Sequence, residues 1–436
     1  MRSLTAGGRI GRIVALCAVV TALADGCGGD EGSAPDGGGS GGVGTGGNAT
    51  GGTGSGGNNS GTGGSANGSG GSIDAGTDMM MGTNPETGVD AQPGSDGAGD
   101  QNGGTGGSGG GAPAVRFVGR FDRSDVNAPR FAWSGSGIIA RFNGTSVGVK
   151  LGGGQQYAVV IDGMLRPKLL PAAGGALTSI ATGLGAGTHT VELYRRTEAN
   201  QGESTFMGFD FGGGALLAPP PAPDRRIEMV GDSITCAYGV EGADMNCNYT
   251  PDTQNQYLAY GDITARALGA DVVTVAWSGK GVVCNYGDDA ASCTNPLPTY
   301  YDRVLPDRPT SAWDFSWQPN VVVINLGTND FSTAVDPTTQ QFSAAYTTFI
   351  KHIRSKYPQA LILCTVAPLL TGADLTTARA AIDAAVMSAA DAKVKSFTMD
   401  PADPADGFGC NYHPSIKTHQ KMAATLTAKL KQELGW

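Results

Sequence analysis

Histidine is scarce in this chain, with four among 436 residues, and no two stand at an H-x-x-x-H spacing. That excludes a metal hydrolase built on paired histidine ligands, and no metal or other cofactor is expected. Basic residues are outnumbered 29 to 39 by acids, giving a formal charge of -10. Nucleic acid and anionic membrane surfaces are therefore poor partners, since both are bound through surplus lysine and arginine. Long hydrophobic runs are missing too. The apolar stretch at 13–23 is too short to span a bilayer permanently. Between residues 28 and 112 large apolar side chains almost vanish, leaving Gly, Ser, Thr, Asn and Asp that cannot bury enough surface to offset ordering entropy.

These absences divide the chain. Arg2, Arg9 and Arg12 ahead of the apolar stretch make residues 1–26 a secretory signal. It ends in ALADGC, and Cys27 resembles the lipid-carrying cysteine of a bacterial lipoprotein, although Asp25 and Leu23 depart from the usual pattern; an ordinary cleavage site is the other reading. The protein is thus expected to be exported, either secreted or held at the bacterial surface or in the periplasm by one lipid. Residues 27–112 read as a flexible linker. Two G-x-S-x-G matches within it, at 38–42 and 106–110, follow no strand and open no helix, so neither is a nucleophile elbow.

Two globular parts follow. Residues 113–218 carry short β-runs at 115–121, 137–142, 146–151, 156–161, 189–194 and 205–211, separated by turn residues such as Asn143-Gly144 and Asp162-Gly163, as in an all-β, jelly-roll-like sandwich. A proline-rich connector leads into 225–436. There strands at 227–230, 272–276, 321–326 and 361–366 alternate with helical patterns at 256–268, 340–357 and 415–434. The alternation implies an α/β domain of three layers, with a parallel sheet between helices.

Four stretches in this second part carry chemistry: GDSIT around Ser233, WSGKG around Gly279, LGTND around Asn329 and NYHPS around His413. The first three directly follow strands, and ligands of open parallel sheets sit outside the strands' carboxyl ends. A serine hydroxyl there needs a base to take its proton and donors for the developing oxyanion. His413 is the candidate base. The amides of Ser233 and Gly279 and the side chain of Asn329 are the candidate donors. Of the other histidines, His189 lies in the β-rich part, His352 on a solvated helix face and His419 on the last helix. Trp277, Tyr286, Phe331 and Tyr412 are candidate substrate walls, each also readable as a packing residue.

The four blocks resemble those of the SGNH (GDSL-like) hydrolases across residues 225–436. A β-sandwich ahead of them, with GDSITCAYG, AWSGKGVVCNYG, LGTNDFS and GCNYHPS, resembles carbohydrate esterase family 2 more narrowly. That resemblance implies a monomeric serine esterase removing acetyl groups from plant polysaccharides or their oligosaccharides, such as xylan and glucomannan. Other SGNH activities, such as a lipase or arylesterase, and a noncatalytic carbohydrate-binding lipoprotein remain open. One departure matters: where SGNH enzymes carry an aspartate two or three residues before the histidine, this chain has Asn411 and Cys410. A Ser-His dyad is expected, its ring oriented by Asn411 or a backbone carbonyl, with Asp400, Asp403 or Asp406 as the alternative orienting group. Six cysteines fall in this part, and their spacings suggest Cys236–Cys247, Cys284–Cys293 and Cys364–Cys410 disulfides, with buried free thiols the other possibility.

Overall fold

The structure, a computed structural model, describes residues 114–288, 293–332 and 336–436. The expected signal segment, Cys27 and the whole linker lie outside the described residues.

The first part is a sandwich of two antiparallel sheets. Its strands are β1 (Arg116–Val118), β2 (Arg130–Phe131), β3 (Gly137–Asn143), β4 (Val147–Gly152), β5 (Tyr157–Ile161), β6 (Met164–Leu169), β7 (Leu177–Ala181), β8 (Thr188–Arg195), β9 (Ser204–Asp210) and β10 (Ala215–Leu217). One sheet runs β1-β3-β8-β5-β6 with β10 also on β3; the other runs β2-β9-β4-β7. Ile138, Ala140 and Phe142 from the first sheet meet Val147, Val149 and Leu151 from the second in a common core. β6 and β7 escape the sequence pattern for a physical reason. Each ends its sheet, so β6 is almost entirely exposed and carries Pro167, which an edge strand tolerates.

In the second part, β11 (Arg226–Gly231), β12 (Asp271–Ala276), β13 (Val321–Asn325), β14 (Leu361–Thr365) and β15 (Val394–Ser396) form a wholly parallel sheet in the order β12-β11-β13-β14-β15. β13 and β14 are buried at every position, as strands covered on both faces must be. Helices α1 (Tyr260–Leu268) and α4 (Ile416–Leu434) cover one face, packing Leu268, Met422 and Leu426 on Ile227, Met229 and Val323. Helices α2 (Thr339–Lys356) and α3 (Gly372–Ala389) cover the other, against Val230, Val275 and Ile324. Helix α2 begins where Thr338 Oγ1 accepts from the Gln341 N–H and Gln341 Oε1 accepts from the Thr338 N–H, a capping box. It buries Phe342, Tyr346, Phe349, Ile350 and Ile353, the residues whose spacing marks it in the sequence. α3 leaves no such mark, because its many alanines flatten the contrast between faces.

The two parts share a core. Ala132, Trp133 and Ala199 of the sandwich pack within the α2–α3 cluster, and the buried Trp133 donates from Nε1 to the Arg303 carbonyl at 3.1 Å. Arg120, fully buried, crosses to pair with Glu228 in the middle of β11 at 3.2 Å and also donates to the Tyr301 carbonyl. Glu228 accepts further bonds from the hydroxyls of Tyr301 and Tyr357.

The cysteines correct the expectation from spacing. Cys284–Cys293 forms, but Cys247 pairs with Cys410 across 163 residues, and Cys236 and Cys364 are buried free thiols. Cys364 is enclosed within β14, and Cys236 is buried in the turn after Ser233, so neither meets the partner that sequence spacing suggests.

Because the sandwich and the α/β part share buried groups, they should unfold as one cooperative unit. Arg120→Ala strands the Glu228 charge and should cost about 3–5 kcal/mol. Urea denaturation followed by tryptophan fluorescence and circular dichroism reads this; two separated transitions in the wild type would contradict it.

Candidate active site

The sheet order reverses at β11, which lies between β12 and β13, and the crevice outside those carboxyl ends is where the sequence blocks meet. β11 ends at Gly231, where an added Cβ would lie 2.0 Å from Thr235 Oγ1 and 3.1 Å from the Asn325 carbonyl, so only glycine fits. The chain then turns tightly: Asp232 O accepts from the Cys236 N–H at 3.0 Å and Ser233 O from the Tyr238 N–H at 3.0 Å.

Ser233 Oγ lies 2.9 Å from His413 Nε2, and both residues are buried, at 7% and 5% exposure. On the far side of the ring, His413 Nδ1 lies 3.0 Å from the main-chain carbonyl of Asn411. A carbonyl only accepts, so the proton resides on Nδ1 and Nε2 is left as the acceptor for the serine hydroxyl. Burial holds the imidazole well below its ordinary value, to about 4, against the opposing pull of the Asn411 and Cys410 backbone bonds.

The loop that delivers this carbonyl is stapled in place. Its Cys410 joins Cys247, the Asn411 N–H donates to the Cys247 carbonyl at 3.0 Å, and the Tyr412 N–H donates to the Met245 carbonyl at 3.2 Å. Asn411 is left-handed, with φ 52° and ψ 43°, a region that asparagine tolerates better than most residues. Its side chain does not orient the histidine: Oδ1 accepts from the Tyr249 N–H at 2.8 Å and the Tyr238 hydroxyl at 3.3 Å. Tyr238 stacks on Tyr249 and lies against the His413 ring at 4.3 Å. Two of the three alternative aspartates are engaged elsewhere. Asp403 and Asp406 face Lys421, and Asp403 caps the turn that follows it, so neither supplies a third member.

The candidate donors stand on neighbouring loops, linked where Asn329 Nδ2 contacts Asp232, beside Ser233, and the Lys280 carbonyl, beside Gly279. Among the described residues, the Ser233 and Gly279 backbone N–H groups donate to no protein acceptor. Gly279 has φ +79° in a turn closed by Lys280 N–H donating to the Trp277 carbonyl at 3.2 Å, and an added Cβ would point into open space. Asn329 Nδ2 donates to the Lys280 carbonyl at 2.9 Å and to Asp232 Oδ2 at 3.3 Å. That longer contact leaves one amide proton only weakly engaged.

Carboxylates not singled out from the sequence hold this arrangement. Asp330, next to Asn329, accepts the backbone N–H groups of Val282, Val283 and Cys284 at 2.7 to 3.1 Å. Burial raises it to about 6 despite those bonds. Asp232 is pushed up to about 7 by burial; the Ile234 N–H opposes the rise, and the charges of Asp330 and Glu198 add to it. Glu198, from the sandwich, accepts from Ser278 beside Gly279. Asp232 and Asp330 stand inside the GDSIT and LGTND blocks and were open to notice. Glu198 carries no sequence signal.

The aromatic candidates separate. Phe331 is 2% exposed and packs on Phe342 at 4.9 Å, so it belongs to the core and is corrected from a substrate wall. Trp277, partly buried, leans on Tyr300 at 4.8 Å, and the Tyr286 N–H donates to the Gly279 carbonyl at 2.8 Å. Tyr412 is partly exposed beside Phe408. The remaining histidines have local partners: His189 with Asp162, His352 with Asp302, and His419 accepting from the Tyr260 N–H.

Comparison with known proteins shows the family. Residues 117–221 match the model for "Carbohydrate esterase 2 N-terminal", and 229–421 match the "GDSL-like Lipase/Acylhydrolase family". A family two carbohydrate esterase from Clostridium thermocellum, solved in complex with cellohexaose, is 41% identical with a TM-score of 0.71, over 74% of this chain and 100% of that one. The chain belongs to carbohydrate esterase family 2. That family consists of carboxylic ester hydrolases. Among curated relatives, the cellulase/esterase CelE of Acetivibrio thermocellus is 44% identical over 332 residues, and this chain spans 40% of its length. An acetylxylan esterase / glucomannan deacetylase of Cellvibrio japonicus is 28% identical over 74% of this chain and 90% of that protein.

For this family 2 chain the neutral imidazole has a consequence in acid. A base held near 4 stays deprotonated well below the ordinary 6.5, so the acid limb of kcat/KM should fall near pH 4. A pH–rate profile on an aryl acetate checks this; an acid limb at 6 to 7 would contradict the burial argument.

Proposed function

We propose that this chain is an exported serine esterase that removes O-acetyl groups from plant polysaccharides of the xylan or glucomannan type. The observation that carries the reading is the 2.9 Å approach of Ser233 Oγ to a His413 Nε2 whose other nitrogen is committed to a backbone carbonyl. Ser233 attacks the acetyl carbonyl carbon while His413 Nε2 takes the hydroxyl proton. The oxyanion is received by the N–H groups of Ser233 and Gly279 and by Asn329 Nδ2, whose weakly engaged proton turns from Asp232. Collapse of the tetrahedral species breaks the ester C–O bond, and His413 returns the proton to the departing sugar oxygen. Water then attacks the acyl-serine by the same route, giving acetate and free Ser233. This reaction uses only the chain's own groups and water.

Among the described residues, no carboxylate hydrogen-bonds His413 Nδ1, which meets the Asn411 carbonyl instead. Replacing a triad aspartate by asparagine is damaging because the histidine takes the wrong tautomer. A backbone carbonyl forces the correct one, although it offers less charge to stabilise the imidazolium. Acetylated xylan or glucomannan as substrate is supported by the activities named for the Cellvibrio japonicus relative. Trp277, Tyr286 and Tyr412 are proposed to border the sugar. Export fits the two disulfides. Residues 1–26 serve as the signal and 27–112 as the linker, with Cys27 as the lipid attachment point that holds the enzyme at the cell surface.

Acetate release from acetylated xylan and glucomannan by the wild type and Ser233→Ala tests the reading. The variant should lose at least a thousandfold in rate, as nucleophile removal does in other serine hydrolases. Equal release by both proteins would sink the assignment, and a preference for long acyl chains over acetyl would favour a lipase-type activity.

A further inference from the structure

Ser278, the residue before Gly279, is gripped by one carboxylate from the other part of the fold. Glu198 Oε2 accepts from the Ser278 N–H at 2.7 Å, and Oε1 accepts from the Ser278 hydroxyl at 2.7 Å. Glu198 is fully buried and follows β8 in the sandwich. Its own backbone is fixed at both ends. The Glu198 N–H donates to Gln254 Oε1 at 3.2 Å, and its carbonyl accepts from Arg195 Nη2 at 2.9 Å. Gln254 Nε2 donates in turn to the Cys236 carbonyl at 3.0 Å, three residues beyond Ser233. Arg195, also fully buried, is anchored to the Thr197 carbonyl at 3.0 Å and Ser204 Oγ at 2.9 Å.

Burying a carboxylate is costly, and Glu198 makes no direct ion pair among the described residues, so packing alone does not explain it. The geometry of the turn does. Trp277 to Lys280 form a four-residue turn with Gly279 third at φ +79°, the conformation of a type II turn. Rotating the peptide between the second and third residues converts type II to type I and points the Gly279 N–H the opposite way. The Glu198 bonds hold the peptide before Ser278 and the Ser278 Cα, which fixes where the turn stands, while glycine at the third place favours type II. Type II geometry and the fixed Ser278 together set the direction of the Gly279 N–H, which donates to no protein acceptor among the described residues.

We infer that Glu198 is a positioning residue for ester hydrolysis, supplied by the β-sandwich, which acts through Ser278 to hold the Gly279 N–H toward the acyl oxygen. The inference rests on the esterase reading above. It makes the sandwich part of the catalytic apparatus whether or not it binds glycan.

The test compares kcat, KM and melting temperature on 4-nitrophenyl acetate for the full chain and for Glu198→Gln, Glu198→Ala and Arg120→Ala. Arg120→Ala disturbs the contact between the two parts at a different place and controls for loss of stability. Glutamine keeps the size and one acceptor of Glu198 but cannot receive both Ser278 protons. Loss of one oxyanion donor lowers rate by about a hundredfold to a thousandfold; Glu198→Gln should lose roughly tenfold to a hundredfold in kcat, with KM within about twofold. Glu198→Ala, if it folds, should lose at least as much. A kcat loss in Glu198→Gln no larger than that of Arg120→Ala, or a change confined to KM, would overturn the inference. An inactive wild type would instead count against the esterase reading.

Discussion

The site depends on one electrostatic constraint: backbone N–H groups must be held toward an empty crevice without any of their own loop's carbonyls satisfying them. A loop left to itself closes such bonds internally. Here the residues around Gly279 are fastened from outside, by Asp330 on the N–H groups of residues 282 to 284, by Asn329 on the Lys280 carbonyl and by Glu198 on Ser278. Burial raises Asp232, and the charges of Asp330 and Glu198 add to the rise. The arrangement spends stability on a fixed array of donors, a trade typical of functional sites.

The histidine obeys a related constraint. Its orienting acceptor is a carbonyl that exists only because Asn411 is left-handed, and the Cys247–Cys410 bridge together with the Tyr249 N–H holds that conformation. The asparagine that looks in sequence like a degraded triad aspartate has a separate task. Its side chain secures the loop, and its main chain orients the ring. The proposed dyad would rest on this geometry of the fold rather than on a third side chain.

Much of this was legible in the sequence where strands announce the rim. Ser233, Gly279 and Asn329 each follow an apolar run ending at the same edge, so parallel-sheet logic alone brings them together. His413 was legible as the one histidine without a local structural setting. The orienting group was left open between Asn411 and a backbone carbonyl, because a left-handed φ cannot be read from composition. Phe331 misled because it lies two residues after Asn329 in sequence, while the turn carries it back onto Phe342. Cysteine spacing gave Cys284–Cys293 but missed Cys247–Cys410, because that contact joins loops that only the folded sheet makes neighbours. Glu198 stayed hidden for the same reason, lying 80 residues from the serine it grips.

The central claim is that Ser233, Gly279 and Asn329 surround the position of the oxyanion while His413 faces the serine. A crystal structure of the chain inactivated by an organophosphate ester, which leaves a tetrahedral phosphoryl group on Ser233, tests it most directly. The account predicts one phosphoryl oxygen about 2.7–3.1 Å from the Ser233 and Gly279 nitrogens and within hydrogen-bond reach of Asn329 Nδ2. A phosphoryl oxygen turned away from Gly279, or an adduct on a residue other than Ser233, would contradict it.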